Sequence, residues 1–201
     1  MQSIFNILCL HNEGCEIMGN VLSGIKGIFE FVKEMLLVLL VAMLFIFFVV
    51  SHNKIPTQSM VSTINIGDHI LTTMVPYYYR DPQPGEIVVF KQGDAAWVKR
   101  VIGLPGDIID IKEGKVFVNG NALDESEYLD EGITTEVPTY LLESEDGIKY
   151  PYTVPDNKYF LMGDNRPESQ DSRYIGPVDR SNIYGKGWIK VYPFDQIGFL
   201  K

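Results

Sequence analysis

The sequence predicts a mostly β domain preceded by a single transmembrane helix, and three features carry this prediction. Every residue of the run MLLVLLVAMLFIFFVV, 35–50, is apolar. Beyond it, short runs rich in Val, Ile, Tyr and Phe alternate with turns that contain Gly and Pro, which is typical of strands. An acidic stretch at about 112–154 lacks that regularity, which indicates an insertion between two better-ordered blocks.

The apolar run is long enough for a membrane anchor if it is extended toward the N-terminus. From Phe29 to Val50 there are 22 residues, which as a helix would reach about 33 Å, against roughly 30 Å of hydrocarbon. A core helix that is apolar all round is uncommon in a domain of this size, and no small-residue cleavage site of a secretory leader follows. We therefore expect an uncleaved anchor at 29–51 after an N-terminal segment, 1–28.

The charges that flank the apolar run favour a cytoplasmic N-terminus. Lys26 and Lys33 precede the run and Lys54 follows it, which is a slight bias for the N-terminus inside. No second run of this kind follows. The expected protein is therefore a single-pass protein of the cell membrane, in contact with lipid, whose β domain is extracytoplasmic.

Seven short runs after the anchor are predicted to be strands. The Asn119-Gly120 pair predicts a hairpin turn, because both positions tolerate positive φ. No helical period of useful length appears after Val50. The predicted strands are HILTTMV (69–75), EIVVFK (86–91), AWVKRVI (96–102), DIIDI (107–111), KVFVNG (115–120), KYFLMG (158–163) and GWIKVYPF (187–194).

The charge of the chain is concentrated in the insertion. The net charge is −9, and between Lys112 and Lys149 ten acidic residues and three lysines leave −7. A solvated acidic face is the simplest interpretation, and the absence of a basic patch argues against a nucleic-acid partner. No Cys/His cluster has metal-ligand spacing, so neither a metal nor another cofactor is predicted.

The polar segment NKIPTQSMVSTINIGD, 53–68, contains the first candidate for chemistry. It follows the apolar run at once and carries Ser59, so it is either a plain spacer or a nucleophile held close to a membrane. A serine nucleophile needs a base. His69 could supply an imidazole, although a histidine at a strand edge is the simpler interpretation.

A neutral lysine is the alternative base. In AWVKRVI, two-residue alternation places Lys99 on one face with Trp97 and Val101. Burial of that face would disfavour the ammonium and lower the lysine pKa. Alternation alone favours the simpler interpretation, an ordinary lysine whose stem packs and whose tip reaches water.

The third polar segment, GDNRPESQDSRYIGP at 163–177, directly follows an apolar strand. Alone it reads as an ordinary turn. Its Arg166, Asp171 and Arg173 could also form a charge-assisted network, and Ser169 and Ser172 could donate to a buried amine.

Three blocks of the sequence, taken in order, closely resemble the signature blocks of bacterial type I signal peptidases. They are IPTQSM…IGD, WVKRVIGLPGD and GDNRPESQDSRYIGPV. PGEIVVFK and YGKGWIKVYPFDQIGFL are similar too, so the resemblance covers about 30–201. It implies an antiparallel β catalytic core, 52–111 and 155–201, with a small inserted β cap, 112–154. Because the matching base is a lysine and not a histidine, the chain resembles the bacterial or organellar type of signal peptidase.

The resemblance also implies roles for individual residues. Ser59 matches the nucleophile and Lys99 the general base of a Ser/Lys dyad, and Thr57 matches the hydroxyl that joins the Ser59 N–H in the oxyanion hole. Ser62 stands where the family commonly has proline. The matching supporting residues are Met60, which packs beside the site, Ser169, which orients the lysine amine, and the network of Asp164, Arg166, Asp171 and Arg173.

The implied function is removal of N-terminal signal peptides from exported preproteins, through an acyl-enzyme and without a cofactor. A nucleophile nine residues past the apolar run, which ends at Val50, can reach at most about 30 Å from it, which keeps it near the membrane surface. The alternative is a non-catalytic, membrane-anchored relative that binds or helps assemble exported surface proteins. Neither motifs nor composition indicate the oligomeric state.

Overall fold

The computed structural model describes residues 12–143 and 147–200. The chain divides into two compact units, with the boundary between Phe48 and Val49. The first contains a long helix, Asn12–Val49, and the second contains the β structure. Residues 1–11 of the predicted N-terminal segment lie outside the described residues.

The long helix contains the predicted anchor except for its last two residues, which lie in β1 (Val50–Lys54). Its apolar side chains from Val21 to Ile46 are exposed, and it ends at Val49, two residues before the predicted end at 51. Within the described ranges, no helix combines the length and the apolar character that a membrane span needs. The expected helix is thus confirmed, and the expectation that it spans a membrane stays a prediction.

The larger of two antiparallel sheets has eight strands. Its strands follow the order β1-β2-β11-β3-β4-β9-β10, and β12 pairs with β11. Their bounds are β1 (Val50–Lys54), β2 (His69–Thr73), β3 (Ile87–Gln92), β4 (Ala95–Gly103), β9 (Lys158–Met162), β10 (Val178–Asp179), β11 (Ile183–Tyr192) and β12 (Gly198–Phe199).

The smaller sheet has the order β7-β6-β5-β8 and overlaps the predicted insertion, although it begins earlier, at Ile108. Asn119 and Gly120, with φ of 54° and 81°, join β6 to β7, so the predicted hairpin is confirmed. The bounds of its strands are β5 (Ile108–Lys112), β6 (Lys115–Val118), β7 (Asn121–Ala122) and β8 (Tyr152–Thr153).

Short helices complete the β unit. The α-helices described after Val50 have four or five residues, in agreement with the absence of a useful helical period. They are Pro76–Tyr79, Thr139–Glu143 and Ser172–Ile175, and 3-10 turns lie at Arg166–Glu168, Arg180–Asn182 and Phe194–Gln196.

Apolar clusters cover both faces of β4, and this burial positions the site. Val101 packs into a cluster with Phe90 and Leu161, whereas Ile102, on the other face, packs with Phe160 and with residues of the smaller sheet. Alternation therefore buries the polar residues of this strand on both faces as well. Lys99 is 4% exposed and Arg100 is 2% exposed.

Candidate active site

The segment around Ser59 is a closed loop that buried apolar residues hold in place. Main-chain hydrogen bonds join its two ends: the Ile55 N–H donates to the Asp68 carbonyl and the Gly67 N–H donates to the Ile55 carbonyl, both at 2.9 Å. Ile55, Met60 and Ile64 are buried together in one cluster. The otherwise polar segment is thus fixed at three apolar points, and Ser59 precedes one of them.

Ser59 and Lys99 meet in the interior, although 40 positions separate them. Lys99 Nζ lies 2.5 Å from Ser59 Oγ, as the donor of a buried hydrogen bond. Ser59 is 7% exposed and Lys99 is 4% exposed. The side chain of Lys99 therefore ends against the hydroxyl and is almost fully buried, whereas the alternative interpretation of the strand requires a solvated tip.

Burial lowers the pKa of Lys99 from 10.5 to about 8. The negative charges of Asp171 and Asp164 oppose this shift, and Arg173 adds to it. The Trp97 ring, whose centroid lies 5.6 Å from Nζ, also favours the ammonium. Desolvation is the largest of these effects, because water is excluded from the amine.

His69 makes other contacts. Its Nδ1 lies 2.8 Å from Nε2 of His52, and its ring packs edge-on against Tyr192. His69 is not among the residues that line the cleft at Ser59. The geometry therefore favours Lys99 over His69 as the base for Ser59.

Asp164 joins β4 to the turn that follows Ser59. Arg100 binds its carboxylate with two hydrogen bonds, from Nε at 2.8 Å and from Nη2 at 2.7 Å, and the Thr63 hydroxyl donates to it at 2.6 Å. Sequence reasoning did not select Arg100 or Thr63. The one feature of the sequence that could have indicated Arg100 is its position next to Lys99, on the opposite face of the strand. This feature is weak, because arginines in such positions are commonly solvated.

Asp171 organises the other side of the third polar segment. Its carboxylate accepts from the Gly163 N–H at 3.0 Å and from Arg173 Nε and Nη2, both at 2.9 Å. It also caps the helix Ser172–Ile175. Arg173 Nη2 reaches the Arg166 carbonyl at 2.7 Å, which folds the segment onto itself.

Met60, Thr57 and Ser169 are the remaining residues that the sequence predicts beside Ser59 and Lys99. Met60 is buried, and Thr57 is exposed at the cleft. The Ser169 hydroxyl is buried and hydrogen-bonds to no atom of the described residues. The oxyanion-hole role of Thr57 and the lysine-orienting role of Ser169 stay predictions. Among the described residues, no cluster of His, Cys, Asp or Glu could hold a metal.

A cleft of about 290 Å³ opens at Ser59 beside an unpaired strand edge. β4 pairs with β3 from Ala95 to Arg100, but its described pairing with β9 begins only at Arg100. The edge at 95–99 therefore has one free side among the described strands. The cleft is lined by Ile55, Pro56, Thr57, Ser59, Met60, Ala95, Ala96, Trp97, Val98, Lys99, Glu168 and Gln170.

Comparison with known proteins identifies the class of this enzyme as proteases that remove signal peptides. The family model described as "Signal peptidase, peptidase S26" matches residues 28–192. The chain belongs to this family, which confirms the resemblance of its three blocks, and its members are membrane-associated serine endopeptidases.

Individual relatives agree with the family match. Probable signal peptidase I-2 of Synechocystis sp. is 39% identical over 161 residues, which cover 76% of this chain and 68% of that protein. Signal peptidase I S of Bacillus subtilis is 32% identical over 179 residues, 86% of this chain and 93% of that protein. A crystal structure of a signal peptidase I from Enterococcus faecalis is 29% identical, with a TM-score of 0.42, and covers 53% of this chain and 97% of that one.

Gly163 lies against both Ser59 and Ser169, so the site requires a glycine there. A Cβ at this position would overlap the Ser59 carbonyl oxygen and the Ser169 hydroxyl. We predict that Gly163→Ala lowers kcat by about 100-fold, because small displacements of reacting groups cost that much. Steady-state cleavage assays measure the effect. Gly198→Ala, whose Cβ would meet no atom within 4 Å, is the control, and a parent-like kcat in Gly163→Ala would refute the packing argument.

Proposed function

We propose that this signal peptidase cleaves with Ser59 as nucleophile and Lys99 as general base. The observation that carries the proposal is the 2.5 Å contact between the two buried side chains. Neutral Lys99 would accept the Ser59 proton while Oγ attacks the carbonyl carbon of the scissile peptide bond. The Ser59 N–H and the Thr57 hydroxyl would stabilise the resulting oxyanion.

The same amine serves both halves of the reaction. The ammonium of Lys99 returns its proton to the leaving amine, which leaves an ester between Ser59 and the signal peptide. Lys99 then deprotonates a water that attacks this ester, and the released serine oxygen regains a proton. The products are the free signal peptide and the mature protein, and no cofactor is needed.

The lowered pKa of Lys99 supports its role as a base. A lysine with a pKa of about 10.4 is neutral in only about one molecule in 2,500 at pH 7. With the pKa at about 8, about one molecule in ten is neutral at that pH. Burial thus raises the population of the active form by about two orders of magnitude.

The free edge of β4 offers a binding mode for the substrate. An extended peptide can add to such an edge through main-chain hydrogen bonds, with alternate side chains on one side. The first and third residues before the cut would then face the cleft, which Ile55, Met60 and Val98 help to line. The family resemblance implies small residues at both positions.

We further propose that the long helix is a single-pass anchor, with the N-terminus in the cytoplasm and the β unit outside. The exposed apolar side chains between Val21 and Ile46 and the lysines that flank the run support this arrangement.

Protease added to intact protoplasts should digest the β unit and spare the N-terminus. Protection of the β unit would contradict this orientation.

A non-catalytic role in binding or assembling exported surface proteins is the rival proposal. Loss of either dyad residue would favour it, but both are present, buried and in contact.

Purified protein should cut a signal-peptide-bearing preprotein at one bond, with a rate that rises with pH through about 8, the pKa of Lys99. The direction follows from the need for the neutral amine, whose fraction grows as the pH rises through the pKa. Mass spectrometry of the products locates the cut. A preprotein with a bulky residue directly before the cut is the matched control and should stay intact.

Lys99→Arg is the diagnostic variant in the same assay. Arginine keeps the charge but remains protonated, so it cannot accept the serine proton. Its rate should fall to the residual level of Ser59→Ala, which lacks the nucleophile. Cleavage by Lys99→Arg at near the parent rate would exclude Lys99 as the base and make His69 the next candidate.

A further inference from the structure

The inserted acidic segment contacts three buried arginines near Ser59 and Lys99, namely Arg100, Arg166 and Arg173. We propose that Glu125 and Tyr128 of this segment are positioning residues, which hold the 163–171 loop and the turn after Ser59 in place against Lys99. This inference rests on the proposed dyad. It assigns a role in catalysis to a segment whose composition indicates only a solvated face.

Glu125 is connected to Ser59 through Arg166. Both carboxylate oxygens of Glu125 accept from the Arg166 guanidinium, whose side chain has no exposed surface, and the Thr135 hydroxyl accepts from the same group. Arg166 Nε donates to the Gly163 carbonyl at 3.1 Å. Gly163 is the residue that lies against the Ser59 carbonyl. A displaced Arg166 would therefore move the backbone that borders the nucleophile.

The ring of Tyr128 packs against a second buried arginine, Arg100. Its ring centroid lies 4.1 Å from Cζ of Arg100, which binds Asp164 and adjoins Lys99. Its hydroxyl donates to Glu125 Oε1 at 3.0 Å, so the two positioning residues support each other. Burial and the nearby Glu125 carboxylate raise the pKa of the Tyr128 hydroxyl, which keeps it protonated as a donor.

Two main-chain contacts complete the attachment of the segment. The Ser62 hydroxyl donates to the Tyr128 carbonyl at 2.8 Å, and Arg173 Nη1 donates to the Glu136 carbonyl at 2.9 Å. Ser62 has a φ of 93°, which the ring of a proline cannot adopt. Ser62 thus occupies a turn that is bonded to the inserted segment and that a proline could not adopt.

The other acids of this segment differ from Glu125. Glu127, Asp130 and Glu131 are exposed, as expected of a solvated face. Glu125 is mostly covered and forms an ion pair with a fully buried guanidinium. Removing one partner of a buried pair leaves an uncompensated charge, which is strongly unfavourable. Glu125→Gln should therefore displace Arg166, whereas Glu127→Gln should change little.

A displaced loop has a consequence for Lys99 that simple instability lacks. The charged groups that act on the amine are Asp164, Asp171 and Arg173, and the first is held by Arg100 and the other two by each other. If the loop moves, water reaches the amine and its pKa returns toward 10.5. The rate would then rise at a higher pH than in the parent.

The test is the pH profile of preprotein cleavage by Glu125→Gln, with Glu127→Gln as the matched control. We expect kcat of Glu125→Gln to fall by about 10- to 100-fold at pH 7 with a small change in KM, and to recover partly at higher pH. Glu127→Gln should stay within about twofold of the parent throughout. Tyr128→Phe, which keeps the ring on Arg100, should retain more activity than Tyr128→Leu.

Thermal unfolding separates positioning from folding. A less stable Glu125→Gln whose kcat and pH profile match the parent would overturn the inference, because its role would then be purely structural. If Glu125→Gln does not fold, Tyr128→Leu is scored on the same two readouts, and parent-like values overturn the inference equally. An active Lys99→Arg, or a parent rate without an ionisation near 8, would instead contradict the dyad itself.

Discussion

The amine of Lys99 ends against the hydroxyl of Ser59 in a part of the fold where both side chains are almost fully buried. Lowering its pKa from 10.5 to about 8 corresponds to about 3 kcal/mol of disfavoured charge. Because the folded-state pKa is the lower one, this destabilisation is complete below about pH 8 and disappears as the pH rises toward 10.5. The apolar clusters on both faces of β4 must offset it.

Within residues 12–143 and 147–200, no carboxylate forms an ion pair with Lys99, because the two nearby acids are bound by arginines. Asp164 is bound by Arg100 and Asp171 is bound by Arg173, with bonds of 2.7–2.9 Å. A carboxylate bound directly to Lys99 would stabilise the ammonium and remove the base. The arginines thus satisfy the acids that organise the loop, and the amine donates its hydrogen bond to a neutral hydroxyl. This division explains how a network rich in charge can surround a lysine that, in the proposed mechanism, must become neutral.

Much of the fold could be predicted, because its signals are local. β-branched and aromatic runs identified the long strands, and Asn119-Gly120 identified a hairpin. The dyad came from the three ordered blocks, not from alternation, which left Lys99 undecided. Arg100, Glu125 and Tyr128 were missed because the partners that give them a role, Asp164, Arg166 and Arg100 respectively, lie 28 to 64 positions away. One covered acid among exposed neighbours leaves no pattern in a segment without periodicity.

The central claim, that Lys99 is a buried and partly neutral amine, is tested most directly by titrating that amine. Carbon-13 at the ε position of lysine in purified protein reports the ionisation by NMR, and the signal missing from Lys99→Arg assigns the resonance. The account predicts a midpoint at about 8. A midpoint near the ordinary value of about 10.4 would contradict it, because such a lysine would be solvated and charged.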